Sequence, residues 1–296
     1  MQTAQPAICA PLPLHARVLL FDLQFSNRQT ANLTTALRHL QDLINGKDRA
    51  AGLGWPVLSA LNARLDGLQP FPQPLSPAFI PATPYALWIW IRGDEAGEIF
   101  HQSRQCINRL APTFRLRAVR ELALYAEGRD LTGYRDGTEN PSGDAISDTA
   151  FLHEGSPGMR GSSFLALQTW QHDWNALDQL NEASRNLIIG RTQRDDHEIA
   201  EAPATAHIRR TAQEDFQPEA FLWRRSMPWI HVMDAGLLFQ AFAASVTAFA
   251  AQIHRMSGQE DGLVDELFRI STPIDGAYFW CPPMHHGALD LRQLAI

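Results

Sequence analysis

Asp136 stands in the stretch GYRDGTENP, Gly133 to Pro141, together with Arg135, Glu139 and Asn140. A carboxylate fixed in such a loop can take a proton from one substrate atom and return it to another, as general base and then general acid. The same text is also good turn chemistry, because Asp bonds nearby backbone amides and the glycine after it supplies a positive φ. Both readings are open on these residues alone. His207, in PATAHIRRT, is either a metal-ligating imidazole or a histidine satisfied within a turn or core. In LWRRSMPW, Arg224 and Arg225 lie beside Trp223, Met227 and Trp229. Two guanidinium groups among aromatics either snorkel along a surface strand or meet a buried anion.

Other chemistries find no matching text. The alternating oxygen ligands and final Glu of a calcium loop are missing around Asp136. There is no GxxxxGK[ST] phosphate loop and no GxSxG nucleophile elbow, and GLG at Gly52 to Gly54 is too little for a dinucleotide site. Of the 11 histidines, His285 and His286 adjoin, and neighbours on a regular element point apart, which reads as solvated surface.

The chain of 296 residues is long enough for two domains and a large core. With 25 Lys+Arg against 32 Asp+Glu the net charge is -7, which argues against nucleic acid as a partner. Cys9, Cys106 and Cys281 are an odd, widely spaced set, which suggests neither a disulfide framework nor zinc and fits a reducing cytoplasm. The N-terminal text has no basic residue before His15 and no apolar core ahead of a cleavage site, so no secretory signal is expected. No membrane span is expected either. The longest apolar run, GLLFQAFAASVTAFAAQI, is interrupted by Gln240, Ser245, Thr247 and Gln252.

The elements that must position these groups follow from periodicity. In ARVLLFDLQF, Leu19, Phe21, Leu23 and Phe25 alternate with Val18, Leu20, Asp22 and Gln24, the period of a strand. Ser26 or Asn27 then caps a helix ending near Asn45 and Gly46. YALWIWIRG and DEAGEIFHQSRQCINRL repeat the strand and the helix. In the second half SSFLALQTWQHD reads as a strand, with Asp173 capping a helix over WNALDQLNEASRNLI. GLLFQAF reads as another strand, with Ser245 capping a helix to Met256 and Gly258 stopping it. One long helix from Gly236 to Met256 also satisfies the spacing, but strand plus helix matches the other units. Strand starts near residues 17 and 85, and again near 163 and 236, make two copies of one plan. Two strand–helix units per copy predict α+β, split βαβ, ferredoxin-like halves, and the Asp136 stretch lies in the connection between them.

Taken together and in this order, GYRDGTENP, APATAHIRR and RRSMPW resemble the dye-decolourising peroxidases, whose hallmark is a GxxDG motif. The likeness continues through TPYALWIWIRG at Thr83 to Gly93, IIGRT at Ile188 to Thr192 and DGAYFW at Asp275 to Trp280. It is most similar to the compact bacterial members without an export signal. The resemblance implies two ferredoxin-like halves, residues 1–145 and 146–296, with helices packed on antiparallel sheets. A haem b pocket is expected between sheet and helices of the C-terminal half. Residue by residue it implies Asp136 as the catalytic acid and base, His207 as the iron ligand and Arg224 as the distal arginine. It implies Asp265 as the carboxylate behind the histidine, although Arg269 in DELFRIS departs from the usual LDFS-like text. Arg191 matches an arginine near a haem propionate. Ser226 stands in the haem pocket where some relatives carry Asn.

These residue types suit that chemistry. A carboxylate bonded to one imidazole nitrogen fixes the tautomer and strengthens the other as a ligand. Asp136 would move the peroxide proton, and Arg224 would stabilise charge on the departing oxygen. The expected protein is a cytoplasmic, homo-oligomeric haem peroxidase that takes hydrogen peroxide and an organic, dye-like or phenolic reductant. The alternative is a haem-handling protein with incidental peroxidase activity. Bulky reductants would give up electrons at oxidisable surface side chains, but the 8 Trp and 4 Tyr single out no such site in sequence.

Overall fold

The computed structural model describes residues 2–24, 29–73, 78 and 80–296. In chain order its elements are β1 (Gln2–Thr3), β2 (His15–Leu23), α1 (Gln29–Leu43), β3 (Arg49–Gly54), α2 (Trp55–Ala60), β4 (Leu87–Gly93), α3 (Ala96–Leu110), β5 (Phe114–Ala123), α4 (Ala145–Ala150), β6 (Ser163–His172), α5 (Trp174–Gln179), α6 (Glu182–Ile189), α7 (His207–Arg210), β7 (Trp223–Arg224), β8 (Met227–His231), β9 (Asp234–Ala243), α8 (Thr247–Met256), β10 (Ser271–Cys281), β11 (Met284–His285) and β12 (Ala288–Leu289).

Two four-stranded antiparallel sheets carry the fold, in the orders β5-β2-β4-β3 and β8-β9-β6-β10. Numbered within its own half, each reads 4-1-3-2 from one edge or the other, the order of a ferredoxin-like sheet. The duplicated plan expected from strand and helix spacing is therefore present. The edges meet at two narrow seams. β10 joins β3 through Phe279 and Trp280 against Gly54 and Leu53, and β5 joins β8 at Leu122 and Trp229. The result is a closed barrel, which removes the exposed edges of both sheets. β7 continues the line of β8 along β9, pairing Trp223 with Phe242 and Arg224 with Ala241. The small sheet of β1, β11 and β12 brings the two ends of the chain together.

β2 is apolar on both faces because each face meets a different core. Leu19, Phe21 and Leu23 belong to a cluster with Leu33, Leu37 and Leu40 of α1 and Ile99 and Leu110 of α3. Val18 and Leu20 belong to another with Trp88, Trp90, Leu165, Leu167 and Phe279, strand residues from both halves.

The text from Gly236 to Met256 is strand plus helix, β9 and α8, with the Ser245 hydroxyl accepting from the Thr247 N–H at 3.3 Å. The single helix expected after Asp173 is instead two. Asp173 accepts from Ala176 N–H at 3.0 Å, but Leu180 is extended and Asn181 caps again, accepting from Ser184 N–H at 2.8 Å. A second capping side chain in mid-segment restarts the helix in a new direction. Phe25 and the proposed Ser26 or Asn27 cap lie outside the described residues.

β9 crosses β6 so closely at Gly236 that a Cβ there would overlap the Trp170 carbonyl oxygen. Gly236→Ala should therefore cost about 1–3 kcal/mol through forced backbone movement. The expected readout is a lower denaturant midpoint at unchanged slope, and a wild-type midpoint would show that the strands can move apart freely.

Candidate active site

The Asp136 loop connects β5 to α4 and is braced to the C-terminal sheet by one amide. Asn140 Nδ2 donates to the Arg224 carbonyl at 3.0 Å, and the Arg224 N–H donates to Asn140 Oδ1 at 2.8 Å. Gly137 has φ +78°, and a Cβ there would come within 2.7 Å of Asn140 Nδ2, so a side chain at 137 would displace the brace. Gln213 Nε2 donates to the Glu139 carbonyl at 2.9 Å. Arg129 and Arg135 both pair with Asp196, at 3.0 and 3.4 Å. The loop thus fixes where Asp136 sits. Asp136 Oδ1 lies 3.5 Å from Arg224 Nη1, with both side chains largely buried.

His207 opens α7, and its Nδ1 lies 2.8 Å from Oδ2 of Asp265. Asp265 is buried and caps the short 3-10 turn Glu266–Arg269, where its other oxygen accepts from Leu267 N–H at 2.8 Å. Both carboxylate oxygens are held, so Asp265 fixes the ring, and His207 Nε2 has no hydrogen-bond partner among the described residues. His172 makes the opposite use of a carboxylate. Its Nε2 meets Asp130 at 3.0 Å and its Nδ1 meets Ser271 Oγ at 2.9 Å, which leaves no nitrogen free. Burial raises the Asp130 carboxyl, but hydrogen bonds from His172 and Thr132 and the charge of His172 outweigh it and hold it below the ordinary aspartate range.

Asp136, Arg224, His207 and His172 line a single cavity, open to solvent, between β6, β9 and α8. Leu237, Phe239, Phe249, Met256, Leu267 and Ile270 make much of it apolar. The lining suits a large planar cofactor, an apolar body with a few converging polar groups. The Nε of Arg224 is buried without a partner. Arg191 sits in an adjoining cleft with Asp136, His207 and Arg224. Its guanidinium is engaged by Glu139 at 2.6 Å, Glu198 at 2.7 Å and the Asp196 carbonyl at 2.9 Å. Ser226 does not line the cavity, because its hydroxyl faces the backbone of β9 and accepts from Gln240 N–H at 3.4 Å. Sequence reasoning passed over Asn140 as a positioning group and the whole Asp130–His172–Ser271 cluster. Both are defined by partners more than 40 residues away, which local spacing does not reveal.

The sequence profile described as Dyp-type peroxidase, C-terminal, matches residues 127–286, which contain all of these groups. The chain belongs to the Dyp-type peroxidase family. A dye-decolorizing peroxidase of Rhodococcus erythropolis is 32% identical over 208 residues, 68% of this chain and 61% of the relative. One of Mycolicibacterium paratuberculosis is 30% identical over 209 residues, 68% of this chain and 59% of the relative. The matched stretch spans less than two-thirds of these curated relatives. Among solved structures, a dye-decolorizing protein from V. cholerae is 26% identical with TM-score 0.83, covering 95% of this chain and 97% of its own. A Dyp-type protein from Shewanella oneidensis, 24% identical with TM-score 0.86 over 99% and 98%, shares the fold. So does a DypB variant from Rhodococcus jostii, solved in complex with heme, 22% identical with TM-score 0.81 over 92% and 94%. Among the described residues no helix is long and apolar enough to cross a membrane.

The depressed Asp130 carboxyl stabilises the fold at pH values above the ordinary aspartate pKa of about 3.9, and that contribution is lost as pH falls through 4 and below. Asp130→Asn should cost about 1–3 kcal/mol, because His172 Nε2 loses its buried hydrogen bond to a carboxylate. It should also flatten the acid limb of a stability–pH curve measured by urea unfolding. An unchanged acid limb would remove the pair from the acid response.

Proposed function

We propose that this protein is a haem b peroxidase that reduces hydrogen peroxide and oxidises organic, dye-like or phenolic reductants in one-electron steps. The observation that carries it is the convergence of Asp136, Arg224 and a free His207 Nε2 on one apolar cavity. The donor set fits the cofactor: an imidazole backed by a carboxylate that would hold the iron, apolar walls that would take the ring, and two arginines, Arg224 and Arg191, that would meet its negative groups. His207 would be the iron ligand, with Asp265 fixing its tautomer. Arg224 would face the cofactor, and Arg191 would reach a propionate by exchanging Glu139 or Glu198 for it. Ser226 is not part of this proposal.

When bound, haem supplies the redox centre at which peroxide is reduced to water. Asp136 takes the proton from one peroxide oxygen and delivers it to the oxygen that departs, directly or through one water. The Arg224 guanidinium offsets the negative charge growing on that oxygen, in a site where little water screens it. Asn140 keeps the two in register by holding the Arg224 backbone. A haem carrier has no use for this carboxylate–guanidinium pair. The three free cysteines support a cytoplasmic location. The apolar tip of the β8–β9 hairpin, with Val232 84% and Met233 86% exposed, supports self-association. We place the boundary between the halves after residue 145.

Stopped-flow mixing of the haem-loaded protein with peroxide tests the assignment. Asp136→Asn should slow the peroxide step by about 10²–10⁴ and Arg224→Ala by about 10²–10³. His207→Ala should change the iron coordination spectrum, and an unchanged spectrum would overturn the ligand assignment. Asn140→Ala should slow the same step, with no further loss when combined with Arg224→Ala, because it acts through Arg224. Aspartate ordinarily titrates near 3.9 and histidine near 6.5, so an aspartate base works at lower pH. Oxidation of reductant should peak at about pH 5, and a lone optimum above pH 8 would contradict Asp136 as the base.

A further inference from the structure

Asp130, Thr132, Tyr134, His172 and Ser271 line the cavity together, yet no step of the peroxide chemistry above uses them. Asp130, His172 and Ser271 are buried and have the membership of a nucleophilic triad, but not its wiring. In a triad the carboxylate holds one imidazole nitrogen and the other takes the hydroxyl's proton. Here the Ser271 hydroxyl donates to the Gln171 carbonyl at 3.2 Å, so at 2.9 Å it offers His172 Nδ1 only a lone pair. No nucleophile is made. With both nitrogens held, the ring has none to offer a metal either.

What the cluster holds is a piece of backbone. Arg129 and Arg135 form an antiparallel bridge. Between them the Asp130 N–H donates to the Tyr134 carbonyl at 2.8 Å, and the Gly133 N–H donates to the Asp130 carbonyl at 2.9 Å. The Thr132 hydroxyl and N–H both donate to Asp130 Oδ2, at 2.5 and 3.3 Å. Residues 129–135 are thus a closed hairpin folded round the Asp130 carboxylate, and Asp136 is the next residue out. His172 Nε2, 3.0 Å from that carboxylate, hangs the hairpin on the end of β6. The ring cannot turn away easily, because Ser271, its partner in register on β10, holds Nδ1 and Trp174 stands edge-on at 5.6 Å.

Asp136 is therefore carried on a strap tied to the C-terminal sheet at both ends, through Asp130 to β6 and through Asn140 to β7. The Asp136–Arg224 contact, at 3.5 Å, is longer than the about 2.7–2.9 Å of a charge-assisted hydrogen bond, so the pair does not set its own geometry. The strap sets it. We propose that His172 is a positioning residue for the peroxide step, which by holding Asp130 fixes where the Asp136 carboxylate stands against Arg224. This role rests on the peroxidase reading above. Misplacing a reacting group by about 1 Å can cost about a hundredfold in rate, so one loose end of the strap is enough to matter.

Two measurements on the haem-loaded full chain test the role. In stopped-flow mixing with peroxide, His172→Phe, which keeps a ring and removes both nitrogens, should be slower than wild type by about tenfold to a hundredfold. His172→Gln, whose amide N–H can stand in for Nε2 against Asp130, should stay close to wild type. Combined with Asp136→Asn, His172→Phe should add no further loss, because it acts through Asp136. Amide exchange, which needs no peroxide, should be faster by about tenfold or more at Asp130, Thr132 and Gly133 in His172→Phe, and unchanged in His172→Gln. A side chain that merely fills space gives the opposite order, with Phe harmless and Gln damaging. A wild-type peroxide step in His172→Phe, an additive loss in the double variant or unaltered exchange would each overturn the role. Should His172→Phe fail to fold, Thr132→Val takes a hydroxyl from the same carboxylate, and it must slow the peroxide step and loosen the same amides or the role falls. A wild-type chain that takes up haem but consumes no peroxide defeats the peroxidase reading itself, while the exchange pattern separately decides whether His172 holds the hairpin.

Discussion

The bidentate amide bridge from Asn140 to the backbone of Arg224 is the contact on which the site depends. It joins the connection between the two sheets to a two-residue strand, β7, which β9 holds from the other side. Asp136 and Arg224 are 88 positions apart in sequence, yet their side chains approach to 3.5 Å. At that separation and an effective dielectric near 20 the attraction is about 5 kcal/mol before desolvation is subtracted. Held by backbone contacts, the pair does not need a tighter ion pair to stay in place. That leaves the guanidinium, with its buried and unpartnered Nε, free to respond to charge on a ligand.

Barrel closure supplies the second constraint. Both seams are short, two residue pairs at one and one at the other, so the halves are joined mainly by side chains packed across the interior. Trp88 and Trp90 fill that interior, and Trp88 Nε1 donates to Gln240 Oε1 at 3.1 Å, from one half's sheet to the other's.

The sequence disclosed the fold through residues that repeat a local rule. Alternation in VLLFDL and LWIWI, and caps at Asp173 and Ser245, were readable because each depends on neighbours within a few positions. β3 and β5 were not, since RAAGLG carries small residues and FRLRAVRELA alternates with arginines, so neither shows the apolar signal of a core strand. The long helix after Asp173 failed at Asn181, where a good capping residue overrode an acceptable helical pattern. At the candidate site the resemblance named Asp136, His207, Arg224 and Asp265, and the structure draws them around one cavity or directly behind it. It also named Ser226, which lies outside the cavity lining, because a position two residues along says which face a side chain leaves from but not whether a backbone N–H will claim it.

Two histidines, each bonded to a buried aspartate, face the same cavity, and composition cannot tell them apart. What separates them is which nitrogen the carboxylate takes and what holds the other. Asp265 binds Nδ1 of His207 and is itself anchored by a turn N–H, so the ring is aimed and its Nε2 is left to act. Asp130 binds Nε2 of His172 while Ser271 holds Nδ1, so that ring is spent on structure and on fixing charge at the wall. A His–Asp pair is therefore a frame that either presents a nitrogen or consumes both. In this chain the residue beyond the second nitrogen, Ser271 in one case and open cavity in the other, decides which.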